Sequence, residues 1–187
     1  MLPHGDAGPG ASAIMPPSQR CATKAGIHLA MAAPLFGKPR FFTVVAGTAE
    51  GETHLNAFDN ALLAAGVGNM NLVKISSILP PDAEQSPRFE AVPGSFIPTA
   101  FGWAHSEEPG EVISAAIAIG RAAHDEYGVI MEMSGHCTGR EAEATIRKMV
   151  EDAFRMRERH LDEILVKVAE HRVVTCGAAF AAVVLWG

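Results

Sequence analysis

The stretch VKISSILPP, Val73 to Pro81, places two adjacent serines at the end of an apolar segment. The β-branched residues before the serines predict a strand, and the double proline after them predicts that regular structure stops there. Hydroxyl groups at a strand end often satisfy backbone groups in a turn. The second interpretation is that one of the two serines, Ser76 or Ser77, is a reactive group.

Composition and charge narrow the class of protein. The chain has 187 residues, of which 48% are hydrophobic, and this predicts a packed globule with one sizeable core. A formal net charge of −6 without any basic cluster argues against nucleic acid and against anionic lipid as partners. No apolar run reaches the roughly 20 residues that a membrane-spanning helix needs. We therefore expect neither a nucleic-acid partner nor a membrane partner.

The beginning of the chain differs from the rest. It is rich in Gly, Pro, Ala and Ser and shows no helical or strand period, so we expect residues 1–38 to be a disordered tail before a single domain, residues 39–187. It lacks the basic start and apolar core of a secretory signal. The cysteines, Cys21, Cys137 and Cys176, are odd in number and have no CxxC spacing, which is typical of a reducing cytoplasm.

Strand patterns surround the serine pair on both sides. We predict strands in RFFTVVAG (Arg40–Gly47), MNLVKIS, SFIPTAFGWAHS, YGVIMEMSG, DEILVKVAEHRVV and GAAFAAVVLW. The last two segments follow each other closely, which favours antiparallel pairing. The resulting class is α+β, with helices packed on mixed sheets.

Three helices are predicted between these strands. AFDNALLAAG is assigned a helix with Asn56 as N-cap, Asp59 as the capping-box acid and Gly66 as the C-terminal stop. GEVISAAIAIGRAAHDE, beginning after Pro109, is read as a second helix because its apolar residues also fit a helical period. A third helix is predicted to begin after Thr138, whose side chain forms a capping box with the glutamate three residues later. The apolar stripe of this helix is predicted to contain Ala142, Ile146, Met149, Val150 and Ala153.

Glu132 is notable because it is a charged residue with apolar neighbours on both sides in the sequence. It interrupts the apolar run Val129–Met133, where an unpaired carboxylate is costly to bury, and such surroundings favour the protonated form of a proton donor. The alternative interpretation of Glu132 is a carboxylate paired with a cation at a sheet edge.

Two other patterns do not predict a binding site. GVGNMN (Gly66–Asn71) lacks a third glycine and follows a helix, so it predicts a turn and not a phosphate loop. The scattered histidines contain no ligand pair, and we predict no metal site.

Together these segments resemble a known family. VAGTAEGETHLNAFDNALLAAGVGNMNLVKISSILPP, IPTAFG, PGEVISAAIAI, GVIMEMSG and GAAFAAVVLW are similar, in order and with few gaps, to pyruvoyl-dependent arginine decarboxylase. The similarity covers about Phe42 to Trp186, and His54 stands where a less polar residue is expected. The resemblance implies a four-layer αββα sandwich with mixed sheets. It also implies a homotrimer with active sites between subunits.

The resemblance further implies a proenzyme that cleaves itself between Ser76 and Ser77. The products would be a β chain ending at residue 76 and an α chain beginning at residue 77 with a pyruvoyl group derived from Ser77. L-arginine would be converted to agmatine and CO2 through a Schiff base to that covalent group, with no external cofactor. Glu132 matches the proton donor of the family.

The remaining site residues are also carried over from the resemblance. Asp59 matches an acidic residue for the substrate guanidinium, which a carboxylate binds through two hydrogen bonds. Asn71 matches a position for processing and positioning, and Gly68 and Met70 match positions near the substrate. One carboxylate binds any cationic side chain and does not discriminate arginine from ornithine or lysine, so a decarboxylase of another basic amino acid is one alternative. The other is an uncleaved paralogue that acts as a binding or regulatory subunit.

Overall fold

The structure, a computed structural model, describes residues 37–123 and 126–187. It confirms the α+β class, with few helices and two sheets. The elements are β1 (Phe41–Glu50), α1 (His54–Ala64), β2 (Asn71–Lys74), β3 (Ile78–Leu79), β4 (Glu84–Gln85), β5 (Phe96–Ser106), β6 (Val112–Arg121), β7 (Gly128–Gly135), α2 (Gly139–Arg155), β8 (Glu163–Arg172) and β9 (Gly177–Trp186).

The first sheet has five strands in the order β2-β5-β9-β1-β4 and is mixed. Its central strands β5, β9 and β1 are antiparallel, whereas the edge strands β2 and β4 pair in parallel. β1 and β9 pair over ten residues, from Phe41 opposite Trp186 to Glu50 opposite Gly177. β9 is buried along almost its whole length, which explains its continuous apolar sequence.

The second sheet has four strands in the order β3-β7-β6-β8 and is antiparallel throughout. The sequence predicted mixed sheets, and only the first sheet is mixed. β3 is a two-residue edge strand directly before Pro80, as the double proline indicates. The short strands β3 and β4 were not predicted, because two residues carry no period.

The helix predicted after Pro109 is wrong, because this segment is the central strand β6. Its residues from Ile113 to Gly120 are all buried, so both faces of the strand are apolar and the sequence also satisfies a helical period. The face with Ala116 and Ala118 packs on α2. A β-carbon on Gly120 would lie 2.4 Å from Val150 Cγ1, so glycine is needed for this close approach.

Helix α1 begins one turn earlier than the sequence predicted. Its N-cap is Thr53, whose hydroxyl accepts a hydrogen bond from the Asn56 amide at 3.2 Å, so the assignment of Asn56 as N-cap and Asp59 as its capping-box acid is wrong. The predicted stop at Gly66 is confirmed. Its φ of +80° suits glycine, and the Gly66 and Val67 amides bond back to the last turn of the helix.

Helix α2 begins as predicted. The Thr138 side chain accepts from the Glu141 amide, and the Glu141 carboxylate accepts from the Thr138 amide at 2.9 Å. Both halves of the capping box are therefore present. The buried face of α2 contains the apolar residues that the stripe predicted, among them Ala142, Ile146 and Val150.

Three apolar clusters hold these elements together. One lies between the two sheets and contains Phe42, Ile117 and Val183. A second joins α1 to the five-stranded sheet, and a third joins α2 to the four-stranded sheet around Ile146 and Phe154. Among the described residues, no helix is long and apolar enough to cross a membrane.

Glu50, at the end of β1, binds the turn between β8 and β9. Its carboxylate accepts hydrogen bonds from the amides of Val174, Thr175 and Cys176 at 2.9 to 3.0 Å and contacts His171 Nε2 at 2.5 Å. Partial burial alone would raise the pKa of Glu50, but these hydrogen bonds outweigh it and lower the pKa to about 2. The carboxylate therefore joins the first strand to the last hairpin.

The tail predicted over residues 1–38 lies outside the described residues except for Gly37 and Lys38. Its disorder, and the single-domain boundary at residue 39, stay predictions.

Candidate active site

The serine pair lies where the chain passes from one sheet to the other. β2 is an edge strand of the five-stranded sheet, β3 is an edge strand of the four-stranded sheet, and residues 75–77 connect them. The Ile75 amide donates to the Thr99 carbonyl at 3.2 Å, and the Ser77 carbonyl accepts from the Ile130 amide at 2.8 Å. The connection is thus fixed to a different sheet at each end.

Ser77 has an unusual backbone conformation. Its φ is +31°, in the region that residues with a β-carbon avoid, although Ser77 is not glycine. Such conformations cost of order 1–3 kcal/mol and persist only where the surrounding structure imposes them. The fixed contacts on both sides of residues 75–77 supply that constraint.

The Ser77 hydroxyl donates a hydrogen bond to Glu132 Oε2 at 3.0 Å. Glu132 is on β7, opposite Ile117 of β6, so the second sheet supplies the carboxylate. The side chain of Glu132 is 25% exposed, so it is less enclosed than its apolar sequence neighbours suggested. Two of the predicted residues, distant in sequence, are therefore in direct contact.

Glu132 also has a cationic neighbour. Lys74 Nζ lies 3.6 Å from Glu132 Oε1, and it donates to the Phe101 carbonyl at 3.0 Å. The same ammonium group lies 4.8 Å from the centre of the Phe101 ring. Glu132 is thus paired with a cation, as the alternative interpretation of this residue expected, and it also contacts Ser77.

Ser76, Ser77 and Glu132 line one cleft of about 370 Å³. The other lining residues are Ile78, Val129, Ile130, Met131 and Arg157. The cleft therefore combines two hydroxyl groups, one carboxylate and one guanidinium group with an apolar wall. This arrangement can hold a small polar molecule beside the Ser76–Ser77 peptide bond.

Met70 and Asn71 line a second cleft, of about 430 Å³. Asn71 Nδ2 donates to the Gly94 carbonyl at 2.7 Å, so this side chain fastens the loop before β5. Asn71 and Lys74 stand at opposite ends of β2, roughly 10 Å apart at about 3.3 Å per residue. Phe101 lines the second cleft, and its ring lies 4.8 Å from the Lys74 ammonium group that pairs with Glu132 of the first cleft.

Asp59 and Gly68 line neither of these two clefts. Asp59 lies on the exposed side of α1, whose buried residues are Ala57 and Ala61. Gly68 packs on Leu63, where a β-carbon would lie 2.7 Å from a side-chain methyl group. Within one chain the structure therefore brings together only Ser76, Ser77 and Glu132, and the roles of the other candidates stay predictions.

Lys74 and Arg157 are site residues that the sequence analysis did not identify. Lys74 is the last residue of β2, and its contact with Glu132 of β7 joins residues distant in sequence, so no local pattern indicated it. Arg157 follows α2 and is far from the serine pair in sequence, so no local pattern pointed to it. Among residues 37–123 and 126–187 there is no group of three or more His, Cys, Asp or Glu side chains that could hold a metal ion.

Comparison with the sequences of known proteins assigns the chain to a family. Residues 41–186 match the family model described as pyruvoyl-dependent arginine decarboxylase. A protein of that name from Methanocaldococcus jannaschii is 49% identical over 152 residues, which are 81% of this chain and 92% of the relative. Proteins of the same name from Thermococcus kodakarensis and Methanococcus vannielii are 48% and 43% identical over 79% and 81% of this chain, and over 94% and 93% of their own lengths. The chain therefore belongs to the pyruvoyl-dependent arginine decarboxylase family.

Proposed function

We propose that this chain is a carboxy-lyase that converts L-arginine to agmatine and CO2 with a covalent pyruvoyl group formed from Ser77. The observation that carries this proposal is the contact between the Ser77 hydroxyl and the Glu132 carboxylate, 3.0 Å apart, at a strained residue between two sheets. The family to which the chain belongs is named for the same substrate and the same prosthetic group.

Ser77 suits the formation of that group. Its Oγ attacks the Ser76 carbonyl carbon, so that the peptide C–N bond is replaced by an ester C–O bond and the Ser77 amine is freed. Elimination then breaks the Ser77 Cβ–Oγ bond, and Ser76 keeps the oxygen as part of a new carboxylate. The resulting dehydroalanine takes up water and releases ammonia, which leaves the pyruvoyl group. The φ of +31° at Ser77 is strain that this reaction relieves.

Once formed, the pyruvoyl group supplies an electron-accepting carbonyl for the departure of CO2 from the substrate. Glu132 would then deliver a proton from its carboxyl group to the substrate α-carbon. Its position supports this role, because Oε2 already faces the side chain of residue 77. The cleft of about 370 Å³ beside it is within the size range of sites that bind small molecules such as a free amino acid.

Asp59 would bind the substrate guanidinium group through two hydrogen bonds. Because Asp59 is on the exposed face of α1 and does not line the Glu132 cleft of its own chain, it suits a site completed by a second copy. We therefore propose a homotrimer of cleaved chains with sites between subunits, in which Gly68, Met70 and Asn71 shape the substrate side. The three apolar clusters support the four-layer αββα arrangement, with one helix outside each sheet.

The alternatives make different use of the same residues. A decarboxylase of ornithine or lysine would need an acid for an ammonium group, and the family name favours arginine. An uncleaved regulatory paralogue would have no need for a strained Ser77 in contact with Glu132.

We place the protein in the cytoplasm, where the free thiols of Cys137 and Cys176 stay reduced.

A pair of serine variants tests the cleavage. Purified wild type should give two bands on a denaturing gel, with the larger fragment lighter by one ammonia than a chain that begins with Ser77. Ser77→Ala should stay uncut and release no CO2 from carboxyl-labelled arginine, because alanine has no β-oxygen. Ser76→Ala is the matched control and should still be cut, since residue 76 supplies only its carbonyl group. An active wild-type enzyme with an intact Ser76–Ser77 bond would overturn the proposal.

A further inference from the structure

We propose that Lys74 is a positioning residue that tunes Glu132 for proton delivery during decarboxylation. This inference rests on the proposed function, in which Glu132 is the proton donor. It starts from the distance of 3.6 Å between Lys74 Nζ and Glu132 Oε1, on the oxygen that Ser77 does not contact. Neither the sequence pattern nor the family assignment points to Lys74.

The Lys74 ammonium group is held in place by β5. It donates to the Phe101 carbonyl at 3.0 Å and lies over the Phe101 ring at 4.8 Å. The side chain is 56% exposed, yet these two contacts restrict where its charge can be. Glu132 therefore faces a cation whose position is set by the neighbouring sheet.

The positive charge of Lys74 favours the release of a proton from Glu132. When Glu132 gives up its proton it becomes a carboxylate, and the nearby ammonium group stabilises that product. The effect is moderate, because 3.6 Å is too long for a direct hydrogen bond and the pair is open to water. A moderate effect suits the role, since a donor held too strongly as carboxylate would carry no proton to deliver.

Cleavage makes this pairing more important. The Ser77 oxygen that contacts Glu132 stays with Ser76 when the chain breaks, so Glu132 loses that partner. Lys74 would then be the cation that Glu132 keeps, and the new carboxylate of Ser76 would join the charged groups around it. Among the residues that line the cleft the other charged side chain is Arg157, which follows α2 and donates to the Ala153 carbonyl at 2.9 Å, and β6 presents the uncharged Ile117 opposite Glu132.

The competing explanation is that Lys74 only ties β2 to β5 through Phe101. The solvent deuterium isotope effect on kcat separates the two, because it grows only when proton delivery becomes slower. Without the cation, the carboxylate that Glu132 forms on giving up its proton is less well stabilised. Lys74→Met should therefore lower kcat about 10-fold and raise the solvent isotope effect on kcat, with KM for arginine unchanged.

The experiment uses the cleaved, full-length enzyme in four forms: wild type, Lys74→Met, Lys74→Arg and the control Lys148→Met, whose lysine is exposed on α2. All four should be cleaved, with similar KM for arginine. Lys74→Arg should restore most of kcat and the wild-type isotope effect, and Lys148→Met should match wild type. A kcat loss without a larger isotope effect, failure of Lys74→Arg to restore kcat, or a block of cleavage by Lys74→Met would each overturn the inference.

Glu132→Gln distinguishes this inference from the function on which it rests. It should be cleaved but lose kcat by about 10²–10⁴-fold. In that background Lys74→Met should have no further effect, because Lys74 acts through Glu132. Full activity in Glu132→Gln would remove Glu132 as the proton donor and this inference with it, whereas the proposed function would fail only if wild type released no CO2 from arginine. Loss of activity in Glu132→Gln beside Lys74→Met kinetics identical to wild type would remove Lys74 alone.

Discussion

Glu50 should make the stability of the fold sensitive to acid. Its pKa is lowered from 4.5 to about 2, because the hydrogen bonds from the turn between β8 and β9 outweigh the effect of burial. A shift of this size corresponds to about 3 kcal/mol of unfolding free energy. Since the folded pKa is depressed, the contribution is complete above about pH 5 and is lost as the pH falls towards 2. About 2 kcal/mol of it should be gone by about pH 3.

Glu50→Gln isolates this contribution from other acidic groups. Urea unfolding of the uncut Ser77→Ala chain, with and without Glu50→Gln, should show the variant less stable by about 3 kcal/mol near pH 7. The difference should shrink by about 2 kcal/mol between about pH 6 and pH 3. The matched control is Glu52→Gln, because Glu52 has no hydrogen-bond partner in the described part of the chain. A stability difference that is constant over this pH range would refute the reasoning.

Two further predictions concern substrate binding and packing. Asp59→Ala should raise KM for arginine about 10-fold or more while kcat changes less, because it removes a charge-assisted hydrogen bond to the guanidinium group. Steady-state kinetics measure both constants, and an unchanged KM would contradict the assignment of Asp59 to substrate binding. Gly120→Ala should lower the free energy of unfolding by about 1–3 kcal/mol, because the new methyl group would meet Val150 and Phe154 at 2.4 and 2.5 Å. Gly135→Ala is the control, because no atom lies within 4 Å of the β-carbon that it would add. Equal melting temperatures for the two variants would contradict the packing of α2 on β6.

Local sequence patterns predicted the elements whose two faces differ or whose ends carry a clear cap. Helix α2 is an example, because its apolar stripe and the Thr138 capping box agree. They failed for β6, where every residue from Ile113 to Gly120 is buried and no polar face marks a period of two. They also failed at the start of α1, where Thr53 and Asn56 are both good caps and only the backbone conformation decides between them.

The candidate site was predictable in its residues but not in its contacts. The resemblance identified Ser77 and Glu132, and the structure places them 3.0 Å apart. Lys74 was missed because its importance depends on β7 lying beside the end of β2, which is a long-range feature that no local pattern encodes. The cation beside Glu132 was missed for the same reason, since Lys74 comes from another sheet, and the role of Glu132 as a proton donor stays a prediction.

The position of β1 sets a condition on the proposed cleavage. This strand would belong to the fragment that ends at residue 76, yet it lies inside the five-stranded sheet, paired with β9 on one side and β4 on the other. A separated fragment would have to insert this strand between two partners that are already in place, whereas the uncut chain forms the sheet as one polypeptide. The proposed scission would therefore have to come after folding, and an enzyme that unfolded later would lack the covalent link between its two fragments.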